Sequence, residues 1–224
     1  MHKILVVNSK GGAGKSTLSS NLAAYYANWG INVYVADMDP QKSVETWLKH
    51  RPKDVSPVHL AKNGLRDINP DEVEYLIIDT PAGIGGMHLN ELIRTADTIL
   101  VPVLPSPFDI HTTGNFIYDI LSGDIFDMKK QKIAVIANRV KLNTKMFQSL
   151  KDFLIELEIP FLTTLRDSQN YVKAIQTGLS IFELNRKAIE KDIEQWQPLL
   201  AWLSPVQGLP KAKIINEGKF GKTG

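Results

Sequence analysis

The stretch "KILVVNSKGGAGKST", Lys3 to Thr17, carries the strongest indication of the fold class. It begins with a short apolar run typical of a buried strand, passes through a glycine-rich loop and enters a helical pattern near Ser16–Trp29. A second strand pattern, "INVYVAD", follows Gly30, which is placed to stop the helix. A strand, a helix and a second strand in this order predict a βαβ unit with two parallel strands.

The same alternation continues along the chain. Further strand-length apolar runs, each followed by loop residues and a helical stretch, are "EYLIIDT", "TILVPVL", "KIAVIAN" and the weaker "PFLTTL". They are apolar at nearly every position, as strands covered by helices on both faces require. We therefore predict an α/β fold with a doubly wound, mostly parallel sheet. The poorly patterned segment 49–70 predicts at most one short strand.

Composition limits the possible classes of protein. The chain has 224 residues, of which 43% are hydrophobic and 22% charged, enough for one α/β core. We expect a single domain over residues 1–204 and a flexible basic tail over 205–224. The absence of cysteine excludes disulfides and Cys-ligated zinc or iron–sulfur sites within this chain. The apolar runs are too short to span a membrane, and we expect no signal peptide and a cytoplasmic location.

The glycine-rich loop has the chemistry of a phosphate site. The common pattern G-x-x-x-x-G-K-[ST] would need glycine where Ser9 stands, but "KGGAGKST" still places Gly14, Lys15 and Ser16 between a strand and a helix. Backbone N–H groups there would bind phosphate, Lys15 would reach the β- and γ-phosphates of ATP, and Ser16 would bind Mg²⁺. The alternative is a glycine-rich turn with incidental lysines. The predicted nucleotide-binding residues are Gly11, Gly12, Ala13, Gly14, Lys15, Ser16, Thr17, Asn138 and Arg139.

Three aspartates follow predicted strands. Asp37 and Asp39 lie in "DMDPQ", and Asp79 ends the run "EYLIID". In open parallel sheets, ligands bind beyond the carboxyl ends of the strands, so these carboxylates are expected near the glycine loop. An apolar run that ends in Asp is common and has low specificity by itself, but together with the glycine loop it makes Asp79 a candidate magnesium ligand, with Asp37 near the metal. The alternative for the Asp37 and Asp39 pair is a turn formed around Asp-Pro.

The loop contains a second lysine, and this identifies a family resemblance. The pattern K-G-G-x-G-K-[ST], matched at every position by Lys10–Ser16, resembles the deviant Walker A ATPases of the ParA/MinD type. The resemblance runs from Lys3 to about Trp202 and is closest to the small ParF-like partition ATPases. It implies a P-loop NTPase in which Lys10 contacts the nucleotide of the partner in an ATP-sandwich dimer. The alternative is that Lys10 simply lies in solvent.

The resemblance also implies roles for other residues. Asp39 would orient the attacking water, and Asn138 would read the adenine edge, although a plain loop asparagine stays open. Thr80 and the glycines of the following loop would form a switch that senses γ-phosphate, but a merely flexible loop explains them almost as well. The proline-containing loop 104–109 would lie near the nucleotide and the dimer interface. The loop 165–171 either covers the base or faces the partner. The five histidines show no metal-ligand spacing.

The function implied is a partition or positioning ATPase. Its ATP-bound homodimer would bind DNA non-specifically on the nucleoid and be released when a ParB-like or other adaptor stimulates slow hydrolysis. The net charge of +2 does not itself argue for DNA binding, and interspersed acids make an ordinary solvated surface equally compatible. The candidate DNA contacts are Lys141, Lys145, Lys151, Arg166, Lys173, Arg186, Lys187, Lys191, Lys211, Lys213, Lys219 and Lys222.

Other functional classes stay open. A membrane-cycling, MinD-like ATPase is the first alternative, but the tail "KAKIINEGKFGKTG" is glycine-rich and too weakly apolar for a membrane-binding amphipathic helix. No segment precedes the first strand, so a helix-turn-helix module for sequence-specific repression is not expected. A small-molecule P-loop synthetase or kinase is the second alternative. A non-hydrolysing scaffold is disfavoured by Lys15, Ser16, Asp39 and Asp79.

Overall fold

The computed structural model describes residues 1–62, 68–141, 144–156 and 159–204. The strands in these residues are β1 His2–Val6, β2 Val33–Asp37, β3 His59–Leu60, β4 Tyr75–Asp79, β5 Thr98–Val103, β6 Lys132–Val140 and β7 Phe161–Arg166. The helices are α1 Lys15–Asn28, α2 Ser43–His50, α3 Gly86–Thr95, α4 Pro107–Ser122, α5 Lys145–Glu156, α6 Gln169–Gln176 and α7 Arg186–Leu203. A 3-10 turn at Ile181–Glu183 precedes α7. The predicted tail 205–224 lies outside the described residues.

The strands form one sheet in the order β3-β2-β4-β1-β5-β6-β7, and every described pairing is parallel. This confirms the predicted doubly wound parallel sheet. The poorly patterned segment contributes the single short strand β3 at one edge. No helix in the described part of the chain is long and apolar enough to cross a membrane.

Both faces of the sheet are covered by helices. In β1, Leu5 packs into a core beneath α3, α4 and α5, whereas Ile4 and Val6 pack into a second core beneath α1, α2, α6 and α7. All three side chains are fully buried. This two-sided burial explains why the strand sequences are continuously apolar instead of alternating.

The register of the central strands brings three strand ends to one level. Val6 at the end of β1 pairs with Asp79 at the end of β4, and Asp79 pairs with Asp37 at the end of β2. The glycine loop leaves β1 at the same edge. The sheet therefore places the loop and two predicted carboxylates side by side at its carboxyl edge.

Candidate functional site

The loop between β1 and α1 bends at two glycines in the left-handed region, Gly12 with φ 75° and Gly14 with φ 92°. A Cβ at Gly14 would lie 2.0 Å from Nδ2 of Asn138, so both conformation and packing require glycine there. Gly14 is the N-cap of α1, no side chain caps this helix, and its first turn carries no acidic residue. Its first N–H groups and the positive end of its dipole therefore suit an anion such as phosphate.

The Lys15 side chain is held inside the loop. Lys15 is only 6% exposed, and its ammonium donates to the backbone carbonyl of Lys10 at 3.0 Å. Burial lowers the pKa of Lys15, while the nearby charges of Asp79 and Asp39 act in the opposite direction. An ammonium has three N–H donors, so two stay available for phosphate oxygens.

Lys10 has an anchored backbone. Its N–H donates to Oδ1 of Asn8 at 3.0 Å, and its carbonyl accepts the bond from Lys15. The residue is partly exposed, and its ammonium forms no ion pair with any residue that the structure describes. The predicted contact of this ammonium with a second subunit's nucleotide stays a prediction.

Asp79 is fully buried at the end of β4 and accepts two hydroxyl hydrogen bonds. Ser16 Oγ donates to one carboxylate oxygen at 2.7 Å, and Ser19 Oγ donates to the other at 2.9 Å. Burial raises the pKa of Asp79 to about 7, and the two hydroxyl groups act against this shift. The structure thus brings the predicted metal ligands Ser16 and Asp79 into direct contact. Ser19 was not identified from the sequence, because a serine within a helix carries no distinctive signal.

The carboxylates of Asp37 and Asp39 have different surroundings, because β2 ends at Asp37. Asp37 is 8% exposed, and its two carboxylate oxygens accept the backbone N–H of Asp39 at 3.1 Å and of Glu45 at 2.9 Å. Asp37 therefore caps the start of α2, and its place near Mg²⁺ stays a prediction. Asp39 is partly exposed and accepts the N–H of Gln41 at 2.9 Å, as in a turn. Its nearness to the Lys15 charge is compatible with both the turn and the water-orienting interpretation.

The loop after β4 packs directly on the phosphate loop. The N–H of Gly83 donates to the carbonyl of Ser9 at 2.9 Å. A Cβ built on Gly11 would lie 3.6 Å from Cβ of Ala82, in ordinary van der Waals contact. A displacement of the phosphate loop would therefore move the loop after β4. A γ-phosphate sensor requires such a mechanical connection between the nucleotide site and a second loop. The sensing role itself stays a prediction.

Asn138 supports the phosphate loop. Asn138 lies where β6 is irregular, is 8% exposed, and donates from Nδ2 to the carbonyl of Ala13 at 2.8 Å. Its Oδ1 accepts the N–H of Arg139 at 3.0 Å. Arg139 is exposed with φ 52°, a conformation that few non-glycine residues adopt. Asn138 therefore lies beside the loop, and its contact with adenine and the nucleotide-binding role of Arg139 stay predictions.

Asn8 is a second residue that the sequence did not identify. It is 1% exposed, and its Nδ2 donates to the carbonyl of Pro102 at 2.7 Å and to Oγ1 of Thr113 at 3.1 Å. Its Oδ1 accepts the N–H of Lys10 and, at 3.5 Å, the hydroxyl of Ser9. The feature that could have identified Asn8 is its position in the sequence, a side-chain amide between an apolar strand and a glycine loop.

Arg166, a candidate DNA contact, is paired with a buried acid. Its guanidinium forms a bidentate pair with Asp192, with Nε–Oδ1 at 2.6 Å and Nη2–Oδ2 at 2.9 Å, and Asp192 is fully buried. Asn170 donates to the same carboxylate at 2.7 Å. Because the guanidinium already neutralises a buried acid, it is less available to a DNA phosphate, and its contact with DNA stays a prediction. The network ties the end of β7 and the start of α6 to α7.

The site fits ATP with Mg²⁺. The loop offers backbone N–H donors and an ammonium to phosphate, and Ser16 with Asp79 offers oxygen ligands of the kind that Mg²⁺ prefers. Among the residues that the structure describes, no group of three or more His, Cys, Asp or Glu side chains could hold a metal ion alone. Ser16 and Asp79 would hold Mg²⁺ together with oxygens of the bound phosphate.

Comparison with known proteins places this site in a family. The chain is 29% identical over 193 residues to the Maintenance of carboxysome distribution protein A of Halothiobacillus neapolitanus, an alignment that covers 82% of this chain and 88% of that protein. A putative plasmid partition protein from Borrelia burgdorferi B31 bound to AMPPNP has a TM-score of 0.71 and 17% identity, covering 90% of this chain and 99% of that one.

A third protein has been solved with a nucleic acid. The structure of pNOB8 ParA bound to nonspecific DNA has a TM-score of 0.55 and 19% identity, covering 69% of this chain and 74% of that chain. The family model described as the CobQ/CobB/MinD/ParA nucleotide binding domain matches residues 4–181, which include the loop, the three aspartates and Asn138. The chain therefore belongs to the CobQ/CobB/MinD/ParA family of nucleotide-binding domains.

Proposed function

We propose that this protein is an ATPase that dimerises around two ATP·Mg²⁺, binds DNA non-specifically as a dimer and positions a cargo on the nucleoid. Lys10 carries this proposal. Its backbone is fixed by Asn8 and Lys15, while its ammonium has no ion-pair partner among the described residues. A fixed backbone that presents an available cation beside a phosphate loop suits a contact supplied to a second subunit.

The residues around Lys15 would perform the hydrolysis. Bound ATP·Mg²⁺ supplies the phosphoanhydride bond and the metal's positive charge. Lys15 would keep its bond to the Lys10 carbonyl and direct its two other N–H groups to phosphate, and Ser16 and Asp79 would hold the metal. Asp39 orients the attacking water, and the carboxylate of Asp37 keeps the Asp39 backbone in place.

Lys10 would couple hydrolysis to association. A cation that stabilises the transferred phosphoryl group only from the partner subunit allows fast hydrolysis only in the closed dimer. Hydrolysis by the isolated protein is then slow, and an adaptor that completes the site accelerates it. The relatives that distribute carboxysomes or partition plasmids support positioning as the purpose of this cycle.

Exposed cations at the carboxyl edge would bind DNA. Asn170 Nδ2 donates to the carbonyl of Ala188 at 2.9 Å, so the start of α7 lies beside the start of α6. The exposed cations on the segments after β6 and β7 are Lys141, Lys145, Lys173, Arg186, Lys187 and Lys191. The exposed acids Asp167 and Glu190 lie among them and weaken the patch. Such contacts to phosphate are blind to sequence and sensitive to salt.

DNA retention tests the proposal. We expect the wild type to be retained on DNA only with ATP, as a dimer, and to be released progressively as salt rises. A double variant, Arg186→Ala with Lys187→Ala, should weaken retention without changing the ATP-dependent dimer. Lys129→Ala with Lys130→Ala removes two exposed cations that precede β6 at the opposite edge and serves as the charge-matched control. A dimer that ignores DNA but binds anionic vesicles would favour the membrane-cycling alternative, and a monomer that hydrolyses ATP would overturn the dimer.

A further inference from the structure

Asn8 joins three parts of the molecule at the edge of the nucleotide site. Its amide nitrogen bonds to Pro102 in β5 and Thr113 in α4, and its amide oxygen bonds to Lys10 and Ser9 in the phosphate loop. Both donors and both acceptor positions of the amide are occupied. At 1% exposure the amide of Asn8 is shielded from water, which strengthens its hydrogen bonds.

The contacts continue from Asn8 to both lysines. The bond from the Lys10 N–H fixes the orientation of the Lys10 peptide, and the Lys10 carbonyl receives the Lys15 ammonium. One buried amide thus controls the backbone that presents Lys10 and the acceptor that aims Lys15. A small shift of a catalytic group is enough to change a rate greatly, so this anchoring has a functional consequence.

The other side of the network lies on α4. Thr113 is fully buried and faces Asn8, while the same helix exposes Phe108 at 82% and Tyr118 at 70%. A movement of α4 would change the contact between Thr113 and Asn8 and, through it, the position of the Lys10 peptide.

We propose that Asn8 is a positioning residue that sets Lys10 and Lys15 from the body of the sheet, with Thr113 on α4 as its anchor. The Lys10 part of this inference rests on the proposed ATP-dependent dimer. The Lys15 part concerns nucleotide binding by a single chain and does not depend on the dimer.

Two measurements on the full chain separate positioning from simple structural support. The first is affinity for a non-hydrolysed ATP analogue, and the second is dimerisation at saturating analogue. We expect Asn8→Ala to weaken both by about tenfold, the net effect of one buried hydrogen bond. Gln131→Ala is the control, because Gln131 is also a buried amide that joins separate segments. Its side chain bonds to Ala96, which precedes β5, and to Asp127, which precedes β6. It should lower the melting temperature comparably and leave both affinities unchanged.

Thr113 provides a test that leaves Asn8 in place. Thr113→Val removes the hydroxyl that Asn8 bonds, and we expect it to weaken dimerisation about threefold, whereas Thr113→Ser keeps the hydroxyl and should restore wild-type behaviour. If Asn8→Ala unfolds the protein, the Thr113 pair decides the question.

The outcomes distinguish this inference from the proposed function. If the wild type dimerises with the analogue but Asn8→Ala behaves like Gln131→Ala, the positioning role is overturned and the dimer stands. If the wild type stays monomeric, the proposed function fails, and a tenfold loss of analogue affinity in Asn8→Ala still supports the Lys15 part. Equal effects of Thr113→Val and Thr113→Ser would exclude Thr113 as the anchor.

Discussion

The ammonium of Lys15 donates to the backbone carbonyl of Lys10 at 3.0 Å, so the two lysines of the phosphate loop form one hydrogen-bonded unit. The bond uses the side chain of Lys15 but only the backbone of Lys10. The Lys10 ammonium is therefore not needed for the bond to Lys15 and can have a separate function. Substitutions of the two side chains should separate nucleotide binding from association.

Lys15→Ala should abolish most ATP binding, whereas Lys10→Ala should spare it. Removing the Lys15 ammonium removes charge-assisted bonds to phosphate, and we expect a loss of affinity of about 100-fold. Lys10→Ala keeps the carbonyl that aims Lys15 and should change affinity less than about threefold while preventing dimerisation. Titration with a fluorescent ATP analogue and mass measurement in solution check both effects. An equal loss of affinity in the two variants would contradict separate roles.

Gly12→Ala should impair the dimer but not the fold, because a glycine without a side chain would let the phosphate loops of two subunits approach closely in the proposed dimer. With φ 75° a Cβ costs about 1 kcal/mol of strain, and no atom of the described protein lies within 4 Å of it. Gly30→Ala is a matched control, because Gly30 has φ 77° and equally open space at the end of α1. Both variants should lose similar stability in urea, and only Gly12→Ala should lose ATP-dependent dimerisation. Dimerisation by Gly12→Ala at wild-type strength would exclude close approach of two loops at this glycine.

Asp79→Asn should change how stability depends on pH in the protein without nucleotide or Mg²⁺. Burial raises the pKa of Asp79 to about 7 from its ordinary 3.8, so the folded protein retains a proton that the unfolded chain releases between these values. The stabilisation from that proton is complete below about pH 4 and is lost as the pH rises through about 7. Neutral asparagine avoids this loss. In urea unfolding, the free energy of unfolding of Asp79→Asn should therefore rise relative to that of the wild type between about pH 5 and 8, by on the order of 2 kcal/mol.

The control for this pH experiment is Asp119→Asn, because Asp119 is exposed on α4. Its stability should follow that of the wild type across the same pH range. A parallel pH dependence of Asp79→Asn and the wild type would show that Asp79 does not hold the proton.

Arg51→Met should destabilise the protein strongly. Arg51 Nη2 lies 2.6 Å from Oε1 of Glu183, with side chains only 5% and 7% exposed. Removing the guanidinium leaves a buried carboxylate without its counter-charge, which costs about 3–5 kcal/mol. Urea unfolding should show this loss, and adding Glu183→Leu should recover part of it. Lys49→Ala, which breaks an exposed pair with Glu45, should change the free energy of unfolding very little, because solvent screens exposed ion pairs. A similar loss of unfolding free energy in Arg51→Met and Lys49→Ala would show that burial does not make the Arg51–Glu183 pair more important than an exposed pair.

The sequence predicted the sheet well because its strands are buried on both faces. Continuous apolar runs such as that of β4, Tyr75–Asp79, give an unambiguous signal when helices follow each of them. The segment containing β3, His59–Leu60, was weakly patterned because a two-residue edge strand has little periodicity to detect. The strand order and the pairing of Val6 with Asp79 depend on which strands meet, which no local pattern specifies.

We could identify the glycine loop, its two lysines and the carboxylates at strand ends from the amino-acid sequence, because the spacing within each strand–loop–helix unit encodes them. Which of these groups form hydrogen bonds follows from the assembled fold. The fold places Ser19 against Asp79, joins Asn8 to Thr113, and turns Asp37 toward the start of α2. It also pairs Arg166 with Asp192, which leaves this cation less available to DNA than its charge suggests. These contacts join residues far apart in the chain, and their hydrogen bonds depend on burial and orientation that exist only after the strands have assembled.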